Sequence, residues 1–282
     1  MTLSSLSMQI IILGMHRSGT SLTTRLINMM GAYVGPEGMC GFNQDNPKGY
    51  WERRDVVECN VSLLKLHNPD WRALNVTPWV IDWKPPHQGP ALPLQMKTIV
   101  FNMDSHRPWV MKDPYMCLTL PHWKPLLEVP VFVIVYRDPL EIAQSLRIRK
   151  YDTIPSLHRG MALWEAYAVS LLNASAGLPR IFVLHSDMMA DPVNTTAQIY
   201  HAMVAQGVHG LRLPYAREIN AYMNHSLYRA KTGAMDDDAP ALNSFQQELA
   251  AMMRGERPVP ENLAVSDASK TILEHHKMDT CS

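Results

Sequence analysis

The chain has 282 residues, enough for one large domain or two small ones, and 46% of them are hydrophobic, enough for a substantial core. Lysine plus arginine (26) balance aspartate plus glutamate (26), so the formal net charge is zero and bulk charge gives no route to nucleic-acid binding. No run reaches the about 18 apolar residues of a membrane span, and the amino end lacks the basic start and long apolar core of a secretion signal.

After a lead-in at residues 1–8, Gln9–Leu13 is apolar on both faces, as a central parallel strand would be. Gly14-Met15-His16-Arg17-Ser18-Gly19-Thr20-Ser21 follows. The spacing of Leu22, Leu26 and Met29/Met30 predicts a helix from about Ser18 to Met30, stopped at Gly31. A strand, a glycine loop and a helix in that order make an anion site, because loop amides and the helix N-terminus converge. Ser18, Thr20 and Ser21 add hydroxyls, and Arg17 adds a fixed positive fork. Gly14 and Gly19 have P-loop spacing, but Thr20 stands where the P-loop lysine belongs, and the cation has moved to Arg17. The loop suits a phosphate and is poorly built for a triphosphate with magnesium. A tight turn would account for both glycines, but not for Arg17 and three hydroxyls.

Residues 35–49 read as a loop, ending in Asn46-Pro47-Lys48-Gly49-Tyr50-Trp51-Glu52-Arg53. A helix fits Asp55 to Leu66. Residues 67–90 carry Trp71, Trp79 and Trp83 among five prolines, and either pack as a lid or line an acceptor pocket. A helix over Leu92–Met103 precedes a short strand, Trp109–Lys112, which ends at Asp113-Pro114. Pro121–Leu127 reads as a short helix and Val131–Tyr136 as a buried strand. Asp138 can cap the next helix, with Pro139 at its first position and Glu141 completing a capping box. That helix runs to about Lys150, and another spans Leu157–Ser175. Ile181–Leu184 is a fourth strand, and Asp191-Pro192 starts a helix to about Gln206. Further on, Asp236-Asp237-Asp238 reads as a solvated loop, Leu242–Met253 as one more helix, and residues 255–282 as largely disordered.

Strands alternating with helices predict an α/β fold, a parallel sheet covered by helices on both faces. Right-handed crossovers would place the loops after Gln9–Leu13 and Val131–Tyr136 at one carboxyl edge. No internal repeat is present. The catalytic domain is expected over residues 1–231, with 232–282 as its C-terminal extension. Cys40, Cys59, Cys117 and Cys281 form no Cys-x-x-Cys pair and no zinc spacing, which fits reduced thiols in a cytoplasmic protein.

Three stretches carry a family resemblance. Arg17-Ser18-Gly19-Thr20-Ser21 resembles the 5′-phosphosulfate loop of the sulfotransferases that use 3′-phosphoadenosine 5′-phosphosulfate (PAPS). Arg137 leaves the end of a buried strand and Ser145 lies eight residues later, two turns into a helix. In that family an arginine and a serine at this separation bind the 3′-phosphate. Val110-Met111-Lys112-Asp113-Pro114 resembles the family's central catalytic strand. The cytosolic branch has a histidine base where Pro114 stands, so this chain is closer to bacterial and carbohydrate-modifying members. Their base is often a glutamate beyond the 5′ loop, near an aromatic pair, and Tyr50-Trp51-Glu52 matches that pattern. Glu52 is therefore the first candidate base and Asp113 the second. An ion pair with Arg53, Arg54 or Lys112 would account for either carboxylate structurally. Arg229 and Lys231 echo the basic segment with which the family closes the 3′-phosphate site, although a solvated surface accounts for them equally well. Arg147 and Arg149, on the helix after Arg137, can add to the positive field.

The resemblance implies a P-loop-like sulfotransferase fold, with PAPS held by residues His16, Arg17, Ser18, Gly19, Thr20, Ser21, Arg137, Ser145, Arg229 and Lys231. It implies catalysis by Lys112 with Glu52 or Asp113, no metal, and an acceptor hydroxyl or amine on a small molecule or carbohydrate. Two alternatives stay open. One is a magnesium-dependent P-loop kinase using Asp138, and the other is a non-catalytic nucleotide-binding protein of the same fold.

Overall fold

A computed structural model of the chain describes residues 9–36, 48–67, 91–148, 156–223 and 240–279. Among the described residues there are four strands, β1 (Gln9–Leu13), β2 (Trp109–Lys112), β3 (Pro130–Tyr136) and β4 (Arg180–Leu184). The helices before β3 are α1 (Thr20–Met29), α2 (Arg54–His67), α3 (Ala91–Asp104) and α4 (Met116–Trp123). Those around β4 are α5 (Pro139–Ile148), α6 (Leu157–Ala174), α7 (His185–Ala190) and α8 (Pro192–Ala205). Three more follow, α9 (Ala216–Tyr222), α10 (Ser244–Met253) and α11 (Asp267–Asp279).

The sheet is parallel throughout, in the order β2-β1-β3-β4. The chain leaves β1 to build β2 on one side and then returns to build β3 on the other. The carboxyl end of β1 is thus a topological switch point, where an open α/β sheet leaves a crevice. The register Ile12↔Lys112 and Leu13↔Ile134 brings the ends of β2 and β3 level with the loop that starts at Gly14.

Both faces of the sheet are covered, and side-chain alternation sorts them. Ile10 and Ile12 join Val131, Val133 and Val135 against Leu26, Ile27 and Met30 of α1 and Ile199 and Met203 of α8. Ile11 and Leu13 join Met111, Phe132 and Ile134 in a larger core with residues of α2, α3, α4 and α6. Trp164 and Tyr167 of α6 lie deep in it. α6 is buried nearly all round its circumference, as a helix packed by others on every side must be.

Two expectations change. The short helix predicted over Pro121–Leu127 begins earlier, at Met116, and Pro121 lies inside α4. Asp113 Oδ1 accepts from Tyr115 N–H (3.2 Å), and the apolar run Met116–Leu120 is wholly buried, so packing starts the helix and tolerates the proline. Residues 255–282, expected to be largely disordered, contain α11. Its anchor is Glu165, a fully buried carboxylate in the middle of α6 that accepts from Ser266 N–H (2.6 Å) and Ser269 Oγ (2.5 Å). Arg159, nearly two turns earlier on α6, donates from Nη1 to the Leu273 carbonyl (3.3 Å). Long-range partners buried in α6, together with Leu273 packed into the core, fix this helix.

Replacing Glu165 by alanine leaves the buried Ser269 hydroxyl and the partly buried Ser266 amide without their acceptor. A loss of about 2–4 kcal/mol is expected in urea unfolding, with amide exchange in α11 accelerated first. An unchanged midpoint and unchanged exchange would show that α11 docks without this carboxylate.

Candidate functional site

The loop after β1 packs with almost no spare volume. A Cβ on Gly14 would lie 2.6 Å from Ser18 Oγ and 3.1 Å from the Val135 carbonyl, so only glycine fits there. Gly19 takes a left-handed φ of 98° as it enters α1, and α1 has no side-chain cap at that end. Its first-turn amides therefore lack the usual internal acceptor. The loop spends some of its own donors internally. Gly14 N–H donates to Cys117 Sγ (3.2 Å), and Ser18 donates to the Met15 carbonyl from both its amide (3.2 Å) and its hydroxyl (2.7 Å). Burial pushes the Cys117 thiol up to about 12, so it meets the loop as a neutral acceptor. His16 packs edge-on against Tyr115, with ring centres 5.0 Å apart.

On the β2 side, Lys112 leaves the end of its strand with a side chain only 1% exposed. Its ammonium forms an ion pair with Glu52 and donates to Ser21 Oγ (3.2 Å). Ser21 in turn donates to the Tyr50 carbonyl (3.1 Å), tying α1 to the segment ahead of α2. Arg53, one of the alternative partners for Glu52, pairs instead with Asp55 (2.6 Å). Asp113 lies beneath, 2% exposed, accepting from Asn60 Nδ2 (2.7 Å) and Tyr115 N–H. Asn60 has no choice of orientation. Its Oδ1 already accepts from Trp123 Nε1 and Thr119 Oγ1, both at 2.7 Å, so its amide must face Asp113. Burial, and then the negative charge of Glu52, push the Asp113 carboxyl up to about 7.

On the β3 side a second cluster forms around Arg17. Arg17 holds a left-handed φ of 71° and donates from Nε to Ser145 Oγ (2.9 Å). Arg137 donates from Nη1 to the Arg17 carbonyl (2.9 Å) and from Nε to Glu141 (2.9 Å). The Glu141 carboxylate thus serves Arg137, while Asp138 caps α5 through the amides of Leu140 (2.9 Å) and Glu141 (3.3 Å). His185, the first residue after β4, closes the cluster, with its imidazole against Gly19. Burial, and then the positive charge of Arg137, lower its pKa to about 3, so the ring is neutral. The glycine loop lies between the two clusters. Ser21 reaches one of them and Arg17 the other.

The sequence places Arg17, Ser21, Glu52, Lys112, Asp113, Arg137 and Ser145 near one edge, and the structure brings them there in these two groups. Thr20 is buried in the first turn of α1, and Arg147 is exposed on α5. Arg149, Arg229 and Lys231 lie outside the described residues, as do Trp71, Trp79, Trp83, Cys40 and Cys281. Asn60, Cys117 and His185 escape the sequence reading. Only His185 carries a local signal, as the residue directly after a strand that ends at the carboxyl edge. Among the described residues, no helix is long and apolar enough to cross a membrane, and no three His, Cys, Asp or Glu side chains converge as metal ligands.

Solved structures resemble the chain across nearly its full length. The sulfotransferase STF9 from Mycobacterium avium shares 14% identity over 92% of this chain and 79% of its own, with a TM-score of 0.50. The sulfotransferase domain from the curacin biosynthetic pathway shares 16% identity over 96% of this chain and 98% of its own, with a TM-score of 0.46. The corresponding domain of the Synechococcus PCC 7002 olefin synthase shares 17% over 96% and 95%, with a TM-score of 0.41. At such identities the likeness is one of fold. No curated protein matches the chain. The sulfotransferase family model matches residues 9–209, a span that holds the glycine loop, Glu52, Lys112, Arg137, Ser145 and His185, and the chain therefore belongs to the sulfotransferase family.

Proposed function

We propose that the protein moves a sulfuryl group from PAPS to a hydroxyl or amine of a small molecule or carbohydrate. The observation that carries this reading is the pairing of Lys112 with Glu52 at the switch point, beside Ser21 of the loop and across the loop from Arg17, Ser145 and Arg137. The uncapped first turn of α1 fits a phosphate, and the arginines fit a second one. His16 to Ser21 would hold the 5′ end, and Arg137 and Ser145 the 3′-phosphate, with Arg229 and Lys231 as further candidates. Buried Cys59 and Cys117, neither in a disulfide, support a cytoplasmic setting.

PAPS supplies an activated sulfuryl group. The new bond forms from the acceptor oxygen or nitrogen to sulfur as the bond from sulfur to the 5′-phosphate oxygen breaks. The chain's own task is positioning and charge compensation. Glu52 receives the acceptor proton, and Lys112 offsets the charge left on the departing phosphate oxygen. Of the two carboxylates, Glu52 suits the base role better. Its side chain is 16% exposed, whereas both Asp113 oxygens are occupied and its proton is retained up to about 7. Asp113 and Asn60 then hold the end of β2 beneath Lys112.

Calorimetric titration tests the donor class. The expected result is tight binding of 3′-phosphoadenosine 5′-phosphate in EDTA and no binding of ATP with magnesium; the reverse pattern would return Asp138 to attention as a magnesium ligand. Arg17→Ala should weaken both PAPS and adenosine 5′-phosphosulfate, and Ser145→Ala should weaken only the ligand with the 3′-phosphate. Equal losses on both ligands would sink this division of the site.

Glu52→Gln should lower turnover by about 10²–10⁴ while sparing donor affinity, the usual range for losing a general base. Full activity would move the base role to Asp113 or to another group. The raised pKa of Asp113 also sets a pH dependence. Between its unfolded value near 3.8 and about 7 the folded chain holds a proton that the unfolded chain releases, so stability falls as pH rises through that window. Asp113→Asn should therefore gain on the parent protein in melting temperature between pH ~5 and ~8. A constant difference across that range would show that the carboxyl titrates normally.

A further inference from the structure

Beyond Ser21 the wall of α1 runs into a cavity of about 620 Å³ that the Lys112–Glu52 chemistry leaves unused. Arg25 and Asn28 line it from α1, and Arg212, Glu218 and Tyr222 line it from the opposite side. Arg25 lies one turn past Ser21, about 6 Å of helix rise. The cavity therefore starts about one turn from the Lys112–Glu52 pair.

Among the described residues, the charges on this wall do not cancel. The Arg25 guanidinium stands 4.7 Å from the Trp51 ring centre and 5.7 Å from that of Tyr222, held between two aromatic faces. Its Nη1 donates to Asn28 Oδ1 (2.5 Å), and its Nε is buried with no hydrogen-bond partner among the described residues. Lys48 brings a second cation, donating to the Tyr222 carbonyl with its ammonium 4.4 Å from the Tyr222 ring centre. Arg212, by contrast, is matched by Glu218 through two hydrogen bonds of 2.8 and 2.7 Å. Arg25 and Lys48 thus meet rings, an amide and a carbonyl, and neither has an acid partner among the described residues.

Trp51 joins this cavity to the reacting pair. It directly precedes Glu52 and holds a left-handed φ of 57°. Its Nε1 donates to the Lys48 carbonyl (2.9 Å) and the Tyr222 hydroxyl (3.3 Å). That turn sends Glu52 to Lys112 and the neighbouring indole to Arg25.

We infer that the cavity is the outer subsite of the acceptor pocket and takes a carboxylate that the acceptor carries about one helical turn from its reacting hydroxyl. Arg25 offers a planar fork with an unpartnered buried donor, and a small shift of Trp51 or Tyr222 would open that donor to the incoming oxygen. Because Glu218 already matches Arg212, Arg25 is the unmatched charge of the described lining, and one cation suits a carboxylate monoanion better than a phosphate dianion. Which hydroxyl reacts rests on the sulfotransfer reading; the carboxylate subsite rests on the cavity alone.

The test titrates the full chain, saturated with 3′-phosphoadenosine 5′-phosphate, with para-hydroxybenzoate and with its neutral isostere para-hydroxybenzamide. The benzoate should bind about tenfold more tightly or better, the usual gain from one charge-assisted bidentate contact. In Arg25→Gln the preference should vanish while affinity for the bisphosphate stays the same, and Arg25→Lys should restore part of it. Equal binding of the two probes, no binding of the benzoate at millimolar concentration, or a preference that survives Arg25→Gln would each overturn the subsite. A chain that keeps the preference but does not bind the bisphosphate would reject PAPS as donor and leave the subsite standing.

Discussion

A charged ammonium at the end of a buried strand is costly unless an acid and a further polar group meet it there. Lys112 is that ammonium, and satisfying it draws three separate parts of the chain together. Glu52 comes from the segment ahead of α2, Ser21 from the first turn of α1, and Lys112 itself from β2. Removing any one of them would leave a buried polar group without its partner. The pair therefore fixes where the 48–53 segment lies against the sheet, and with it the position of Trp51. The β2 side of the glycine loop is built on this one contact.

Backbone strain points to the same place. Among the described residues, Arg17 and Trp51 are the non-glycine residues with left-handed backbone, a conformation that is expensive for a bulky side chain. Arg17 lies in the glycine loop and Trp51 directly precedes Glu52, and each is held by contacts on both sides. Arg17 is gripped by Ser145 through its side chain and by Arg137 through its carbonyl. Trp51 is gripped by Lys48 and Tyr222. The strain turns Arg17 towards α5 and turns Trp51 away from Glu52, so one loop and one short segment each serve two directions.

Electrostatics then separates groups that look alike in the sequence. Glu52 and Asp113 are two carboxylates near one lysine. Burial and mutual repulsion raise the Asp113 pKa, while Glu52 keeps the contact with Lys112. His185 sits beside Arg137 and is kept neutral, which suits a packing and orienting role against Gly19 better than a second positive charge. The far end of the chain depends on another buried acid. Glu165 of α6 holds α11 in place, and Leu273 of α11 packs into the core beside it.

The four strands, the helices between them and the glycine loop were legible from sequence because each is a local pattern, whereas the Arg137–Ser145 spacing was legible through the family resemblance. Period-2 and period-3.6 hydrophobicity, turn glycines and capping residues act over a few neighbours. The carboxyl-edge convergence of the loops was legible too, because right-handed crossovers leave a parallel sheet few alternatives. The start of α4, the docking of α11, the Asn60–Asp113 support and the place of His185 were not. The docking of α11, the Asn60–Asp113 support and the place of His185 depend on partners from distant parts of the chain, and the start of α4 depends on the burial of Met116–Leu120. The same holds for the cavity beside Arg25, where Trp51 and Tyr222 come from segments with no sequence relation to each other. Sequence by itself determined the fold class and the chemistry available at the sheet edge. Tertiary structure alone decided which acid met which base and which cation was left facing a cavity, because burial and distance, not residue type, set those energies.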